Sequence, residues 1–481
     1  MHPENTKKHT AVPFAELEKQ REYSNMAKQL LTERFYPGKP YAYVRTFGCQ
    51  GNVSDGERLK GLLAQSGYEL TETVENADFV LLNTCAIRDH AEDRALGNIG
   101  AFKHLKEVKP GMIIALCGCM MQQEHIIEKI KKSYPFVDLV FGTHVIHKLP
   151  ELVFRCLGGE QRIFELTDSG GCIAEGIPVR RDSTFKAWLP IMYGCDNFCS
   201  YCVVPYVRGR ERSRAPEIIL TEAKELVASG YKEITLLGQN VNSYGKGLEG
   251  GIDFSGLLRT LNAIEGDFII RFMTSHPKDC THDLLDTMAE CGKIAKHLHL
   301  PFQSGNNRVL KAMNRGYSRE EYLDLVSYAR RVMPDLSLTS DVIVGFPGES
   351  YEEFQDTLSL VEQARFTSLY TFIFSAREGT AAAKLPDCIS RAEKVQWFTQ
   401  LTDLQEKIAS ARTLSMNGKK YRVLCEDENT RDNGIISGRT GGNVIIEFPA
   451  TADIIGSFQD VIVTEPMTWK VKGKLVSDEN V

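Results

Sequence analysis

Two series of alternating apolar runs and helical patterns restrict this chain to folds built on parallel sheets. In the first series, apolar runs lie at residues 41–47, 78–82, 112–116 and 137–141. Helical patterns separate them at residues 54–65, 91–106 and 122–132. Strands that alternate with helices pair in parallel, so we predict an open α/β domain over residues 41–150. Residues 1–40 are predicted to be an amino-terminal extension without a catalytic role.

The second series covers residues 187–414 and contains six strand and helix units. Its apolar runs lie at residues 188–192, 233–237, 268–273, 294–300, 336–344 and 369–374. A complete eightfold barrel typically needs about 250 residues, so six units predict a partial (β/α)6 barrel. Residues 151–186 are predicted to be a linker between the two α/β domains.

Helical periodicity stops near residue 414, and short β-rich runs with glycine-rich turns follow. We predict a small all-β barrel over residues 415–478. Barrels of this size often bind nucleic acid, but many do not. The whole chain has 57 basic and 63 acidic side chains and a net charge of -6, which excludes a globally cationic nucleic-acid binder. No stretch approaches the roughly 18 apolar residues of a membrane span, so we expect a cytoplasmic protein without membrane partners.

Thirteen cysteines without an export signal indicate metal or redox chemistry, because cytosolic thiols are kept reduced. Cys195, Cys199 and Cys202 form a C-x3-C-x2-C loop directly after the first predicted barrel strand. Structural zinc prefers four protein ligands, and no fourth lies nearby in sequence. Three cysteines on a 4Fe-4S cluster leave one iron open for a substrate or cosubstrate. The loop therefore favours an iron-sulfur cluster over zinc.

Three further cysteines, Cys49, Cys85 and Cys119, each follow the carboxyl end of a predicted strand in the first domain. The loops at these ends share one edge of a parallel sheet, where ligands bind. We predict that the three thiols converge there. Cys117, two residues before Cys119, is predicted to be a core cysteine.

The C-x3-C-x2-C loop resembles the signature of the radical S-adenosylmethionine (SAM) enzymes. The resemblance implies that the open iron binds SAM and that the reduced cluster splits it, yielding a 5'-deoxyadenosyl radical. It also places the backbone of Tyr201 near the adenine, although simple loop packing remains the alternative. Polar residues at the strand ends would face the barrel mouth. Gln239 and Asn240 are candidates for polar contacts to SAM or to substrate. Asp341 and Glu349 flank a turn at Gly345, where a glycine lets the backbone approach a flat ligand. The resemblance implies that this turn packs on the adenosyl group of SAM.

Residues 46–50, 83–88 and 118–122 resemble the three cysteine motifs of the methylthiotransferases, and the small barrel resembles a TRAM domain. The resemblance implies that Cys49, Cys85 and Cys119 hold a second 4Fe-4S cluster that carries or receives the sulfur to be inserted. The six cysteines would then be both metal ligands and catalytic residues.

Four arginines alternate after the cluster loop: Arg208, Arg210, Arg212 and Arg214. Alternate residues of an extended segment share a face, so we expect a cationic stripe that binds substrate phosphates. A grip on carboxylates, including that of SAM, and an ordinary solvated segment remain open.

Within the methylthiotransferases, the match at residues 204–214 implies conversion of N6-isopentenyladenosine beside a tRNA anticodon to its 2-methylthio derivative. SAM would be both radical source and methyl donor. The implied partners are tRNA, a low-potential electron donor such as ferredoxin or flavodoxin, and the iron-sulfur assembly machinery. Sister enzymes that act on a ribosomal-protein aspartate or on threonylcarbamoyladenosine in tRNA remain alternatives. A redox sensor without catalysis is a more distant one.

Overall fold

The structure, a computed structural model, describes residues 11–86, 89–166, 171–430 and 432–476, with the side chains of residues 89–94 left out. The chain divides into two compact units. The first contains Met1–Asp182, Met192–Asp196 and Cys202–Arg212, and the second contains Ser183–Ile191, Asn197–Tyr201 and Ser213–Val481.

A six-stranded parallel sheet with the order β2-β1-β3-β4-β5-β6 forms the centre of the first unit. Its strands are Tyr41–Thr46 (β1), Glu69–Leu70 (β2), Phe79–Thr84 (β3), Ile113–Gly118 (β4), Leu139–Phe141 (β5) and Ile163–Glu165 (β6). The helices are Phe14–Phe35 (α1), Gln50–Gln65 (α2), Asp89–Val108 (α3), Glu124–Ser133 (α4) and Leu149–Leu157 (α5). Every residue of β3 and β4 is buried, as expected for central parallel strands covered on both faces.

Helix α1 lies within the predicted amino-terminal extension but packs against α5 of the first unit. Its Ala27 and Leu31 share a core cluster with Leu149 and Val153 of α5. The helix also buries polar residues, and Gln20 donates a hydrogen bond of 3.0 Å to Glu151. Because part of the buried face of α1 is polar, the pattern of apolar residues does not predict that this helix packs against the rest of the unit. The predicted linker likewise contains most of α5 and the short strand β6.

The strands from residue 183 to the last barrel helix are Lys186–Pro190 (β7), Met192–Tyr193 (β8), Arg212–Ser213 (β9), Glu233–Leu237 (β10), Ile269–Phe272 (β11), His297–His299 (β12), Ser337–Val344 (β13) and Ser368–Ile373 (β14). The helices are Val204–Arg208 (α6), Pro216–Ala228 (α7), Phe254–Asn262 (α8), His282–Glu290 (α9), Asn307–Ala312 (α10), Arg319–Val332 (α11), Tyr351–Ala364 (α12) and Arg391–Leu414 (α13).

The second unit contains two three-stranded parallel sheets, with the orders β11-β10-β7 and β12-β13-β14. A single bridge between Ile270 and Ile294 joins them. The predicted partial barrel of six parallel strands is therefore confirmed. Helices α11, α12 and α13 each begin at a serine capping box, for example Ser318 with Glu321. These caps satisfy backbone N–H groups that have no partner inside the helix.

The carboxy-terminal strands close into a barrel with the order β15-β16-β17-β19-β18. They are Lys420–Glu428 (β15), Ile435–Thr440 (β16), Ile445–Pro449 (β17), Phe458–Pro466 (β18) and Val471–Leu475 (β19). The barrel has its own apolar core, which includes Val423, Ile436, Ile446 and Val461. The predicted five-stranded barrel is confirmed. Across the described residues, no helix is long and apolar enough to cross a membrane.

Candidate functional site

Three thiols of the first unit converge at the carboxyl edge of its parallel sheet. Cys49 directly precedes α2, Cys85 follows β3, and Cys119 follows β4. The Oδ1 atom of Asn52 lies 3.6 Å from the Sγ of Cys49 and 3.7 Å from the Sγ of Cys119. The side chain of Cys85 is hydrogen-bonded to Cys49. The structure thus brings together the three cysteines that the sequence places after separate strands.

Two glycines permit this close approach. Gly48 and Gly118 have φ angles of 115° and 102°, which favour glycine over other residues. A Cβ atom on Gly48 would lie 2.3 Å from the Cβ of Cys85, and one on Gly118 would lie 2.2 Å from the carbonyl oxygen of Thr84. Both contacts are impossible, so each glycine lets a cysteine loop pack against its neighbour.

The pKa values of two of these thiols shift in opposite directions. The hydrogen bond from Cys85 and the charge of Arg208 lower the pKa of Cys49 to about 5, although burial opposes them. Burial raises the pKa of Cys119 to about 11, with Arg208 acting against it. Thiolates are the form that binds metal, so the lowered pKa of Cys49 is compatible with its predicted role as a ligand.

Arg208, at the end of α6, points its guanidinium at this thiol cluster. Its Nε donates to the Sγ of Cys119 at 2.9 Å, its Nη1 to Asp55 at 2.6 Å, and its Nη2 to the Oδ1 of Asn52 at 2.8 Å. Arg208 and Asp55 are both buried. Asn52 and Asp55 are site residues that the sequence analysis missed. Their spacing of three on α2, directly after Cys49, places them on one helix face and is the signal that was available.

The donor set suits an iron-sulfur cluster better than a single ion. Within the described ranges, no three thiol, imidazole or carboxylate groups lie close enough to hold one metal ion. In a 4Fe-4S cluster each thiolate binds a different iron, so the ligands stand further apart. Three soft thiols beside a buried cation meet the needs of such an anionic group.

Cys117 is excluded from this cluster by its position. It points into the core of the first unit, in the same apolar cluster as Leu81 and Phe141. Complete burial raises the pKa of its thiol well above the ordinary value. This agrees with the predicted packing role.

The residues of the C-x3-C-x2-C loop are divided between the two units. Cys195 and Cys202 belong to the first unit and Cys199 to the second. Cys195 and Cys199 are buried, and Cys202 is half-buried. In the first unit, the backbone N–H of Cys195 donates to the carbonyl of Gly209 at 3.1 Å.

A second buried arginine contacts this loop inside the second unit. Arg315 donates from Nη1 to the Sγ of Cys199 and to the Oη of Tyr201, both at 3.4 Å. It also donates from Nη2 to the carbonyl of Pro301 at 2.7 Å and from Nε to the Oη of Tyr317 at 3.1 Å. The sequence analysis missed Arg315, since nothing in its local pattern distinguishes it from a surface arginine. Tyr201 packs against an apolar cluster, which matches its alternative role in loop packing.

Buried polar atoms without partners collect near the carboxyl ends of β10 and β11. In the described part of the second unit these are Gln239 Oε1, Asn240 Oδ1, both side-chain amide atoms of Asn242, Ser275 Oγ and His276 Nε2. Buried polar groups are almost always hydrogen-bonded, so unpartnered atoms gathered at a barrel mouth are available to bind a polar ligand or water. SAM, with its amino, carboxylate and adenosyl groups, fits this set. Asn240 is held in place by donating to Asp279 at 2.7 Å.

The turn after β13 is stabilised by the carboxylate of Glu349. The carboxylate of Glu349 accepts the backbone N–H groups of Gly345 and Phe346 at 2.8 and 3.1 Å, and burial raises its pKa to about 7. A Cβ on Gly345 would meet the side chain of Lys394 at 2.6 Å. Lysine methylenes thus occupy the space where a side chain at Gly345 would stand, and the expected contact between Gly345 and SAM stays a prediction.

Asp341 lies on β13 with its Oδ1 atom 3.5 Å from the Nε2 of His299. That histidine and His297 both bond the hydroxyl of Thr339, at 2.9 and 3.0 Å. The two imidazoles are thus satisfied within the barrel. Asp341 is partly exposed and keeps its place among the candidate SAM contacts.

The four alternating arginines do not form the predicted stripe. Arg208 ends a helix, so the segment is not extended throughout, and Arg208, Arg212 and Arg214 are buried. Arg212 donates to the carbonyl of Arg210 at 2.8 Å, and Arg214 donates to the carbonyl of Pro190 at 2.6 Å and to Glu222 at 3.0 Å. Arg210 alone of the four is exposed, and it forms an ion pair of 2.8 Å with Asp196. The shared-face expectation is wrong because backbone carbonyls and carboxylates inside the protein take up these cations.

Three known families match successive parts of the chain. Residues 41–142 match the Uncharacterized protein family UPF0004, residues 189–361 the Radical SAM superfamily, and residues 414–476 the TRAM domain. A tRNA-2-methylthio-N(6)-dimethylallyladenosine synthase of Thermoanaerobacter sp. (strain X514) is 48% identical over 91% of this chain and 93% of the relative. One with the same name from Acetivibrio thermocellus is 45% identical over 98% of each chain. This chain belongs to the tRNA-2-methylthio-N(6)-dimethylallyladenosine synthase family, within the radical SAM methylthiotransferases.

Solved structures agree at the level of the fold. The radical SAM methyltransferase TsrM from Kitasatospora setae aligns with a TM-score of 0.52 at 13% identity, covering 72% of this chain and 77% of TsrM. The cobalamin-dependent SAM radical enzyme OxsB aligns with a TM-score of 0.50 at 15% identity, covering 77% of this chain and 56% of OxsB. The radical SAM fold of this family member implies one 4Fe-4S cluster and SAM.

Proposed function

We propose that this protein replaces the C2 hydrogen of N6-isopentenyladenosine, also called dimethylallyladenosine, in tRNA with a methylthio group. The names of its relatives support the tRNA adenosine over the ribosomal-protein aspartate and threonylcarbamoyladenosine. The observation that carries the proposal is the convergence of Cys49, Cys85 and Cys119 around Asn52. A radical SAM enzyme that only cleaved SAM would not need this second thiol site.

In this proposal Cys195, Cys199 and Cys202 hold one 4Fe-4S cluster, while Cys49, Cys85 and Cys119 hold a second one. When bound, the two clusters and SAM would supply a radical oxidant, the inserted sulfur and the methyl group. The chain's own contribution is to hold these groups and to exclude water. The unpartnered polar atoms of Gln239, Asn240 and Ser275 would bind SAM, since each lacks a hydrogen bond inside the described protein.

The tRNA contact is assigned to the TRAM domain and to the exposed Arg210. Trp469 lies before β19 and is 55% exposed, which suits stacking on an unpaired base. The proposal includes a low-potential electron donor such as ferredoxin or flavodoxin, and the iron-sulfur assembly machinery. A donor is required because one electron must enter the protein for each SAM that is cleaved reductively.

The test is mass spectrometry of nucleosides from isopentenylated tRNA after anaerobic incubation with reconstituted protein, SAM and a reductant. We expect the 2-methylthio nucleoside from the parent protein. Cys49→Ala, Cys85→Ala and Cys119→Ala should cleave SAM without forming it, whereas Cys195→Ala, Cys199→Ala and Cys202→Ala should not cleave SAM. A ribosomal-protein peptide, incubated in parallel, gives the alternative acceptor. Product on the peptide alone would refute the tRNA substrate, and product from Cys49→Ala would refute the second-cluster assignment.

A further inference from the structure

Each proposed cluster site contains one arginine whose guanidinium donates a hydrogen bond to a cysteine sulfur. In the first unit Arg208 donates to Cys119 at 2.9 Å, and in the second unit Arg315 donates to Cys199 at 3.4 Å. The exposed fractions of Arg208 and Arg315 are only 8% and 4%. A buried cation costs free energy unless it meets a negative charge, so both positions call for an anion beside them.

The two arginines differ in how their charge is compensated. Arg208 donates to the buried carboxylate of Asp55 at 2.6 Å, so part of its charge is already neutralised. The other described partners of Arg315 are the carbonyl of Pro301 and the hydroxyls of Tyr201 and Tyr317, which are neutral acceptors. Unlike Arg208, Arg315 therefore has no carboxylate among its described hydrogen-bond partners.

We propose that Arg208 and Arg315 are positioning residues that tune the reduction potentials of the two clusters, with Asp55 opposing Arg208. The inference rests on the proposed function for the assignment of six cysteines to two clusters. Hydrogen bonds to ligand sulfurs and nearby charge are among the factors that set the potential of an iron-sulfur cluster. A donor or cation stabilises the reduced, more negative form, so each arginine raises its cluster's potential and Asp55 lowers that of the second cluster.

The test uses two backgrounds that each keep one cluster. Changing Cys49, Cys85 and Cys119 to alanine leaves the SAM-cleaving cluster, and changing Cys195, Cys199 and Cys202 to alanine leaves the second. In each background the cluster is titrated with a reductant and followed by electron paramagnetic resonance, with iron content measured on the same samples. This readout is independent of turnover.

In the first background, Arg315→Gln should lower the ratio of reduced to oxidised cluster at a fixed potential by about tenfold, or about 59 mV for one electron. Arg315→Lys keeps the charge and should restore most of the ratio. Arg412→Gln is the matched control, since Arg412 donates to the carbonyl of Leu336 and no cysteine is among its described hydrogen-bond partners. Its ratio should equal that of the parent.

In the second background, Arg208→Gln should lower the same ratio and Asp55→Asn should raise it. Opposite shifts from two hydrogen-bonded neighbours cannot come from a general loosening of the site. Full iron content with unchanged ratios in Arg315→Gln and Asp55→Asn would overturn the inference, as would shifts of the same sign in Arg208→Gln and Asp55→Asn. If Arg315→Gln loses its iron, its ratio cannot be measured. In that case an unchanged ratio of reduced to oxidised cluster in Asp55→Asn is sufficient to overturn the inference. Absence of iron from the single-cluster parents would instead refute the proposed function.

Discussion

Gly48 lies so close to Cys85 that a single added methyl group at Gly48 would overlap the Cβ of that cysteine at 2.3 Å. The φ angle of Gly48, 115°, adds backbone strain for any other residue. We therefore expect Gly48→Ala to cost at least about 2 kcal/mol locally and to separate the first two cysteine loops. Iron per chain, measured after reconstitution, should fall from that of two clusters to that of one, while SAM cleavage continues.

The matched control is Gly100→Ala on α3. An added Cβ at Gly100 meets no atom within 4 Å, and alanine in a helix is more stable than glycine by about 0.5–1 kcal/mol. Iron content should be that of the parent and thermal stability slightly higher. A full iron complement in Gly48→Ala would contradict the requirement for close packing of the loops.

Cys117→Ala tests whether Cys117 has a packing role or binds metal. Cys117 lies two residues before the proposed ligand Cys119. The thiol of Cys117 is fully buried in the apolar core, and its loss should cost about 1 kcal/mol by leaving a small cavity. Iron content and product formation should match the parent, whereas Cys119→Ala should lose one cluster. Loss of iron in Cys117→Ala at a temperature where the protein stays folded would mean that Cys117 is itself a ligand.

The raised pKa of Glu349 leads us to expect that its contribution to stability decreases as the pH rises. Burial holds its pKa at about 7, above the ordinary value of 4.5. Because the folded pKa is the higher one, its contribution is fully present below about pH 4.5 and is lost as the pH rises through 7. The loss amounts to at most about 3 kcal/mol. Thermal melting of the parent and Glu349→Gln should show the variant gaining relative stability between about pH 5 and about pH 8.

A neighbouring carboxylate supplies the control for that experiment. The hydrogen bond from Arg308 lowers the pKa of Glu353, so the contribution of Glu353 is lost as the pH falls. Glu353→Gln should therefore gain relative stability toward acid, opposite to Glu349→Gln. Parallel pH trends for the two variants would contradict the buried, proton-binding state of Glu349.

The convergence of three cysteines in the first unit could be predicted because it depends on local periodicity and one topological rule. Short apolar runs separated by helices define parallel strands, and the carboxyl ends of such strands share an edge. Cys49, Cys85 and Cys119 each follow one of these ends, so their meeting needed no knowledge of side-chain packing. The same reasoning predicted the six barrel strands. It placed the start of α2 at residue 54, whereas the helix begins at Gln50.

The supporting residues could not be predicted because they depend on contacts between distant parts of the chain. Arg208 and Cys119 are separated by 89 residues, and Arg315 and Cys199 by 116. Neither arginine differs locally from a surface arginine. Helix α6 has only five residues, too few for a periodic signal, yet it turns Arg208 out of the expected stripe. Charge patterns show where cations occur, whereas the fold decides whether each one meets solvent, a carbonyl or a thiol.

Arg271 forms a buried ion pair that we expect to stabilise the second unit. It donates to the buried carboxylate of Glu233 at 2.5 Å and to the carbonyl of Thr440, in the TRAM domain, at 2.8 Å. Arg271→Met leaves Glu233 buried and unpaired, so we expect a loss of about 3–5 kcal/mol in urea unfolding. Adding Glu233→Gln removes the stranded charge and should recover more than half of that loss. Additive losses in the double variant would show that the two side chains do not stabilise the protein as a pair.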